Sequence, residues 1–357
     1  MRGHRRDHPD APEHTVPTCA FLSFRLGLTD GVSVVARTWM DVMRAMGFDV
    51  LTVAGEGPVD RIVEGLAIGA DQPPDERDVE AALADADLVV VENLLTIPMN
   101  LPASRVVADV LRGRPAILHH HDPAWQREQY RHVTELPPDD PSWRHVTINQ
   151  LTRGELAERG INSVTIYNGF ETRPAPGDRD RTRRQLGVGR DDRLVVHPVR
   201  AIPRKRIADA VALAEALGAT YWLTGPAEDG FDDELKAILT SARCEIIHRP
   251  VARAADLYAA ADLVAFPSEW EGFGNPPIEA AIHHRPVALR WFPVATELAA
   301  LGFRWFDIDD IDAIDAWLTE PDETLLDHNR LVAERHLSLE RMASELEALL
   351  DEAGWLP

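Results

Sequence analysis

Glu271 and Glu279 stand eight residues apart, and between them runs Gly272-Phe-Gly-Asn-Pro-Pro-Ile278. Gly272 and Gly274 let backbone amides approach a ligand where a Cβ would stand in the way. The apolar run before them ends at Phe266, so a strand stops here and a helical pattern follows. Asn275 is expected as the N-cap, with Pro276 at the first helical position, so that the helix start turns its partial positive charge toward the turn. A diphosphate suits such a place. Glu271 lies before the turn and Glu279 about one helical turn inside, so they could reach opposite ends of one ligand, its sugar and its ribose. A plain strand–turn–helix with surface acids fits the same residues, because a glycine-bearing turn is a weak motif.

A second constellation narrows the choice. Of 37 lysines and arginines only Lys205 and Lys236 are lysine, and Lys205 follows Arg200 by five positions in His197-Pro-Val-Arg-Ala-Ile-Pro-Arg-Lys-Arg206. Arg200 comes after the apolar run Leu194-Val-Val196 and Lys205 opens a helical pattern. Both cations therefore fall at the carboxyl edge of a strand, where open α/β sheets bind ligands. Arginine offers a planar fork to phosphate oxygens and lysine a mobile point charge. A solvated basic helix start is the alternative, though the helix dipole disfavours cations there.

Together these residues resemble the retaining, nucleotide-sugar-dependent glycosyltransferases of family 4. The family's Glu–seven residues–Glu motif is matched by Glu271 and Glu279, and its Arg–four residues–Lys phosphate clamp by Arg200 and Lys205. Tyr167-Asn-Gly-Phe-Glu171, Leu223-Thr-Gly-Pro226 and Leu257-Tyr-Ala-Ala-Ala-Asp-Leu263 follow in the family's order. The resemblance runs from about Phe21 to Val287 and is strongest in the second half. It implies the GT-B fold, an α/β architecture of two Rossmann-like parallel-sheet domains facing a central cleft. It departs from the family at Ala280-Ala-Ile-His-His-Arg-Pro-Val287, where His283, His284 and Arg285 replace small residues, and at a thinner glycine loop, Gly27-Leu-Thr-Asp-Gly31.

The roles that follow are expectations. Arg200, Lys205, Glu271 and His121 are the catalytic set, His121 by its match to a family histidine. Gly31, Gly225, Gly272, Phe273, Gly274, Asn275 and Glu279 are expected to hold the donor. Asp122, Trp125 and Arg127 are expected at the acceptor, where an ordinary arginine-rich helix is the competing reading. His119, His120 and His121 in a row invite a metal, but neighbours on a strand alternate faces and cannot all converge on one ion; His119 and His120 are expected instead as buried histidines hydrogen-bonded to their neighbours. No metal and no cofactor is expected, and no Asp-x-Asp pair lies near the clamp. The donor would be a nucleoside diphosphate sugar. A nucleotide-sugar epimerase or sugar phosphorylase of the same fold, or a non-catalytic nucleotide-sugar-binding protein, are the rival readings.

The elements that must position these groups are short apolar runs alternating with helical patterns, the mark of βαβ units. Strands are expected at Thr18–Phe24, Asp49–Val53, Asp87–Val91, Pro115–His119, His145–Ile148 and Ser163–Tyr167 for a first sheet, and at Arg193–Val196, Thr220–Leu223, Glu245–Ile247, Leu263–Phe266 and Val287–Leu289 for a second. A chain of 357 residues fits two domains. The expected boundaries are a tail over 1–16, a first Rossmann-like domain over 17–170, a linker over 171–192 and a donor domain over 193–336. A terminal helix over 337–357, amphipathic by its Leu339, Met342, Leu346, Leu349 and Leu350, would, by the resemblance, cross back to the first domain. The formal net charge of −22 argues against nucleic acid. It favours a small hydrophilic acceptor, a carboxylate or phosphate included where local cations admit it. No membrane-length apolar run and no signal-peptide core is visible, and the two cysteines are far apart, which points to a reduced, cytoplasmic setting. The Ala, Arg and Asp bias points to a GC-rich bacterial genome. The sequence leaves the oligomeric state open.

Overall fold

Runs such as Leu88-Val-Val-Val-Glu92 and Leu194-Val-Val-His197 are apolar on consecutive residues rather than alternate ones, as strands covered on both faces must be. Every residue of both is buried. The computed structural model describes residues 16–28, 30–228 and 230–357, so of the expected tail 1–16 only Val16 is described, and Thr29 also lies outside.

The first sheet takes β1 (Thr18–Arg25), β2 (Asp49–Glu56), β3 (Arg61–Ile62), β4 (Leu88–Glu92), β5 (Ala116–His120), β6 (Trp143–Thr147) and β7 (Ser163–Thr165). The second takes β8 (Leu194–His197), β9 (Thr220–Leu223), β10 (Ile246–His248), β11 (Leu263–Phe266), β12 (Val287–Leu289) and β13 (Phe306–Asp307). Their orders are β3-β2-β1-β4-β5-β6-β7 and β10-β9-β8-β11-β12-β13, and the registered pairs are parallel. Both are doubly wound, with the order reversing beside β1 in one and beside β8 in the other, and such switch points are where open α/β sheets take ligands. Eleven of these strands coincide, within a few residues, with runs read from the sequence. The two not foreseen, β3 and β13, are two-residue edge strands, too short to leave a periodic trace.

Helices α1 (Gly31–Ala45), α2 (Glu76–Ala82), α3 (Leu101–Leu111) and α4 (Gln150–Glu158) belong to the first half of the sequence. Then come α5 (Arg179–Leu186), α6 (Ile207–Ala216), α7 (Asp232–Ser241), α8 (Ala254–Ala260), α9 (Asn275–Ile282) and α10 (Pro293–Ala300). The chain closes with α11 (Ile311–Thr319), α12 (Glu323–His336) and α13 (Leu339–Ala353), the last being the amphipathic helix expected from the pattern of Leu339, Met342, Leu346 and Leu350. None of the helices among the described residues is long and apolar enough to cross a membrane.

The chain divides into two compact units, one of residues up to 119 with 123–144 and 347–357, the other of 120–122 and 145–346. Each has its own core. Leu22, Val89, Val91, Val107, Leu118 and Trp143 lie in the first, and Val195, Trp222, Val264, Phe266, Ile278 and Leu298 in the second.

Candidate active site

Strands β8 and β11 are neighbours across the second switch point, Leu263 pairing with Val195 and Val264 with Val196. The segments leaving their carboxyl ends carry the clamp and the glutamate turn. They are tied through the backbone, Glu269 N–H donating to Arg204 O at 3.0 Å. A one-turn 3-10 helix, Pro203–Lys205, then places Arg204 and Lys205 on the same carboxylate. Lys205 Nζ donates to Glu271 Oε1, while Arg204 Nη1 donates to Glu271 Oε2 at 2.8 Å and to Trp270 O at 2.8 Å. Lys205 Nζ also stands 5.4 Å from the centre of the Phe266 ring, within cation–π range.

Lys205 and Glu271 are 8 % and 7 % exposed, so this is a buried pair. Burial opposes the charge on Glu271, but the Lys205 ammonium and the Arg204 guanidinium outweigh it and hold the carboxyl down at about 2. Burial also works on Lys205, with the charges of Arg204 and Arg200 adding to it and Glu271 opposing, and its ammonium is brought down to about 8. Glu271 is therefore a fixed anion, and Lys205 a cation whose charge is within reach of mildly alkaline pH.

Arg200 is held differently. Its Nη1 donates to Glu228 Oε2 at 2.6 Å, and about a third of the arginine side chain and of the glutamate is open to solvent. The loop that bears it is stitched to the segment after β9: Gly225 N–H donates to Val199 O at 3.1 Å, Ala201 N–H to Pro226 O at 2.8 Å and Glu228 N–H to Ala201 O at 3.0 Å. A Cβ at Gly225 would fall 2.7 Å from Arg200 Cα and closer still to Val199 O. Gly225 thus serves as the spacer that lets two loops touch. Gly225→Ala should push the Arg200 loop aside, lower stability by about 1–3 kcal/mol and raise the Michaelis constant for donor. Wild-type values for both in melting and kinetic measurements would contradict this role.

Past the pair, Gly272 O accepts from Asn149 Nδ2 at 2.6 Å, and a Cβ at Gly272 would meet His121 O at 2.7 Å. Phe273 is buried against Phe170 and Tyr167, ring centres 6.2 and 5.9 Å away. The N-cap of α9 is Gly274 rather than Asn275, which already lies within the helix. The reason is backbone geometry: Gly274 has φ of 98°, which a side-chain-bearing residue adopts only with strain. Asn275 Oδ1 instead accepts from Asn168 Nδ2 at 3.1 Å. Glu279 Oε2 accepts from Tyr258 Oη at 2.6 Å, and burial raises its carboxyl above the usual range against the opposing effect of that bond. Tyr258 in turn stacks on His283, ring centres 5.1 Å apart.

Of the residues expected from the sequence, Lys205, Glu271, Gly272 and the His121 backbone are thus adjacent, with Arg200 on the same loop as Lys205. His121 is buried and Asp122 partly so. In the other unit, Gly31 opens α1, whose N-cap Asp30 accepts from Ser33 N–H at 3.2 Å and from Ser33 Oγ at 2.8 Å. Among the described residues, its chain neighbours and its own helix backbone aside, no atom approaches within 4 Å of where a Gly31 Cβ would stand. Trp125 lies in the 3-10 turn Ala124–Gln126 and Arg127 follows it, both partly buried. His119 and His120 are the buried, hydrogen-bonded histidines the sequence suggested: His119 Nδ1 is 3.0 Å from Glu92 Oε2, and His120 Nε2 is 2.9 Å from His145 Nδ1. Arg204 and Tyr258 were missed. Arg204 was masked by its basic neighbours, and Tyr258 belongs to an alanine-rich helix with nothing polar beside it in sequence.

Two doubly wound sheets and, at the second switch point, a basic loop facing a glutamate-bearing glycine turn define a class: the chain is a glycosyltransferase of GT-B fold. Residues 199–300 match the model of the family described as glycosyl transferases, group 1. Among curated proteins, it is 24 % identical to mannosylglucosylglycerate synthase of Thermotoga maritima, over 90 % of this chain and 97 % of that one. It is 26 % identical to mannosylglucosylglycerate synthase of Petrotoga mobilis, over 78 % and 84 %. Among solved structures, the Anabaena protein Alr3699/HepE in complex with UDP and glucose shares the fold, with a TM-score of 0.74, 20 % identity and coverage of 94 % of this chain and 100 % of that one.

Proposed function

We propose that this glycosyltransferase moves a hexose, with retention, from a nucleoside diphosphate sugar to a small hydrophilic acceptor that carries a carboxylate. The observation that carries the reading is the Arg200, Arg204, Lys205 and Glu271 cluster at the switch point. Three cations there face two anions, Glu271 and Glu228, so the cluster has one positive charge in excess before any ligand arrives. A diphosphate gains charge as its bond to the sugar breaks, and fixed cations that need no rearrangement stabilise that change most. Arg200, paired at a half-open position, can exchange Glu228 for a phosphate oxygen. Each oxygen of Glu271 accepts one bond from the cluster and keeps a lone pair for a sugar hydroxyl. Glu279, oriented by Tyr258, suits the ribose. In this scheme the leaving phosphate takes the acceptor's proton, His121 lies at the sugar and Asp122 at the acceptor.

Support for the donor class comes from the Anabaena structure, which holds UDP and glucose. The acceptor follows from charge together with the relatives. A chain at −22 admits an anion only where cations are local, and the Thermotoga and Petrotoga relatives are named for a product containing glycerate, a carboxylate. Arg127, beside Trp125, is the cation assigned to it. Arg127→Ala should raise the acceptor's Michaelis constant about tenfold or more while leaving donor affinity unchanged, and weakened donor binding alone would refute the assignment.

The clamp supplies the positive charge that divalent ions supply in other transferases, so transfer should persist in EDTA. Activity abolished by the chelator and restored by a divalent ion would remove that part of the reading. A thermal-shift panel of nucleoside diphosphates and their sugars tests the donor class directly, since a ligand at 100 times its dissociation constant adds about 2.7 kcal/mol of stability. No response to any nucleotide would sink the proposal.

A further inference from the structure

A cavity of about 470 Å³ opens in the second unit, between the segment 172–177, α8, the carboxyl end of α9 and α12. None of its lining residues belongs to the glutamate turn or is Glu279: it meets α9 only at Ile282 and the following residues, about 10 Å along the axis from the first helical residue. Its walls hold Arg173, Arg285, Arg330, His283 and His284, and among the described residues none that lines it is an aspartate or glutamate. In a chain with 59 acidic and 37 basic residues, a wall of that composition stands out from the background. The histidines and Arg285 are also where the sequence departs from the small residues of its family.

The cations are built in. Arg285 donates from Nε to Tyr258 O at 2.6 Å, from Nη1 to His284 O at 2.8 Å and from Nη2 to Ala259 O at 3.2 Å, which fixes its charge in the wall without neutralising it. Arg330 donates from Nη1 to His284 Nε2 at 3.1 Å and from Nε to Glu334 Oε1 at 3.1 Å, leaving the rest of its fork. Because arginine only donates, His284 Nε2 must accept, and the imidazole carries its proton on Nδ1 as a further donor. His284 itself is held at φ of 54°, a left-handed conformation that a non-glycine residue adopts at a cost. The acids around the wall are Asp327, 3.6 Å from His284, and Glu334, which also lies 3.9 Å from Arg173, with Glu323 acting on His284 and Asp262 on Arg285 from further off.

We propose that this cavity is a second anion-binding site, distinct from the donor site, that takes a small phosphate-bearing molecule. Its volume exceeds that of bare phosphate and falls within the range of metabolite pockets. An anion entering it would meet the fixed charge of Arg285 and the open side of the Arg330 fork. The paired histidines supply neutral donors, so the site does not depend on their being charged.

The test uses the full chain in the Arg200→Ala background, which weakens phosphate binding at the donor clamp and leaves the cavity untouched. Inorganic phosphate is titrated and followed by ³¹P NMR line broadening. Arg200→Ala should bind phosphate, Arg200→Ala/Arg330→Ala should lose affinity by about tenfold or more, and Arg200→Ala/Arg330→Lys should keep most of it. Should the Arg330→Ala chain fold poorly, Arg173→Ala reports the same loss, because its side chain is 81 % exposed and packs little. Phosphate bound equally well with and without Arg330 and Arg173, or not bound at all by Arg200→Ala, overturns the proposal.

Discussion

Arg200→Ala should lower turnover at saturating donor by on the order of a hundredfold or more, the effect of losing one preorganised charge partner, while the melting temperature barely moves. Arg200 is about one-third exposed and its partner Glu228 is equally open, so its loss leaves no buried charge behind. Lys205→Ala should lose turnover comparably but also destabilise the fold by about 3 kcal/mol. The two positions looked equivalent in sequence, both being cations at a strand edge. The structure separates them, because Lys205 is buried against Glu271 over the Phe266 ring and Arg200 is not. Turnover and melting curves of the two variants decide the matter. Near-wild-type turnover in Arg200→Ala removes the clamp, and equal melting of the two variants removes the distinction.

The second large effect is one of pH. If the charge on Lys205 is needed to receive donor, kcat/KM for donor should fall through an alkaline limb near pH 8, by about tenfold for each further unit. The sign follows from the group: a lysine brought below its ordinary value sheds its proton, and with it the positive charge, at lower pH than a free lysine. Glu271 is the neighbour that keeps that charge in place, through its own charge and its hydrogen bond. Glu271→Gln should accordingly shift the limb to lower pH, besides removing the sugar contact proposed for it. A profile flat to pH 10, or a limb unmoved in Glu271→Gln, would separate Lys205 from the reaction.

Several features of this molecule are settled by the order of residues alone. Consecutive apolar runs such as Leu88–Val91 and Leu263–Phe266 are too short for helices and read as strands covered on both faces, and their alternation with helical patterns leads to parallel, doubly wound sheets. The spacing of Arg200 to Lys205 and of Glu271 to Glu279 was legible because strand ends and helix starts are local, so neighbours in sequence arrive together in space. The turn residue that begins α9 was misread for an equally local reason. Asn275 is the better N-cap by side chain, but Gly274 alone accepts the left-handed backbone that the turn requires.

What only the tertiary structure decided is which of these local groups meet. Arg204 and Glu271 are 67 residues apart and Tyr258 and Glu279 are 21 apart, and nothing in either neighbourhood announces its partner. The same holds for the contact of Gly225 with the Arg200 loop and for the arginines and histidines gathered around the second cavity. Burial belongs to this group as well. Lys205 has the composition of a surface residue, and its altered proton affinity arises from the strands packed around it and the carboxylate delivered by another loop. Sequence sets which chemistry is carried on each strand end; adjacency and desolvation, which set its strength, appear only when the sheet brings β8 and β11 side by side.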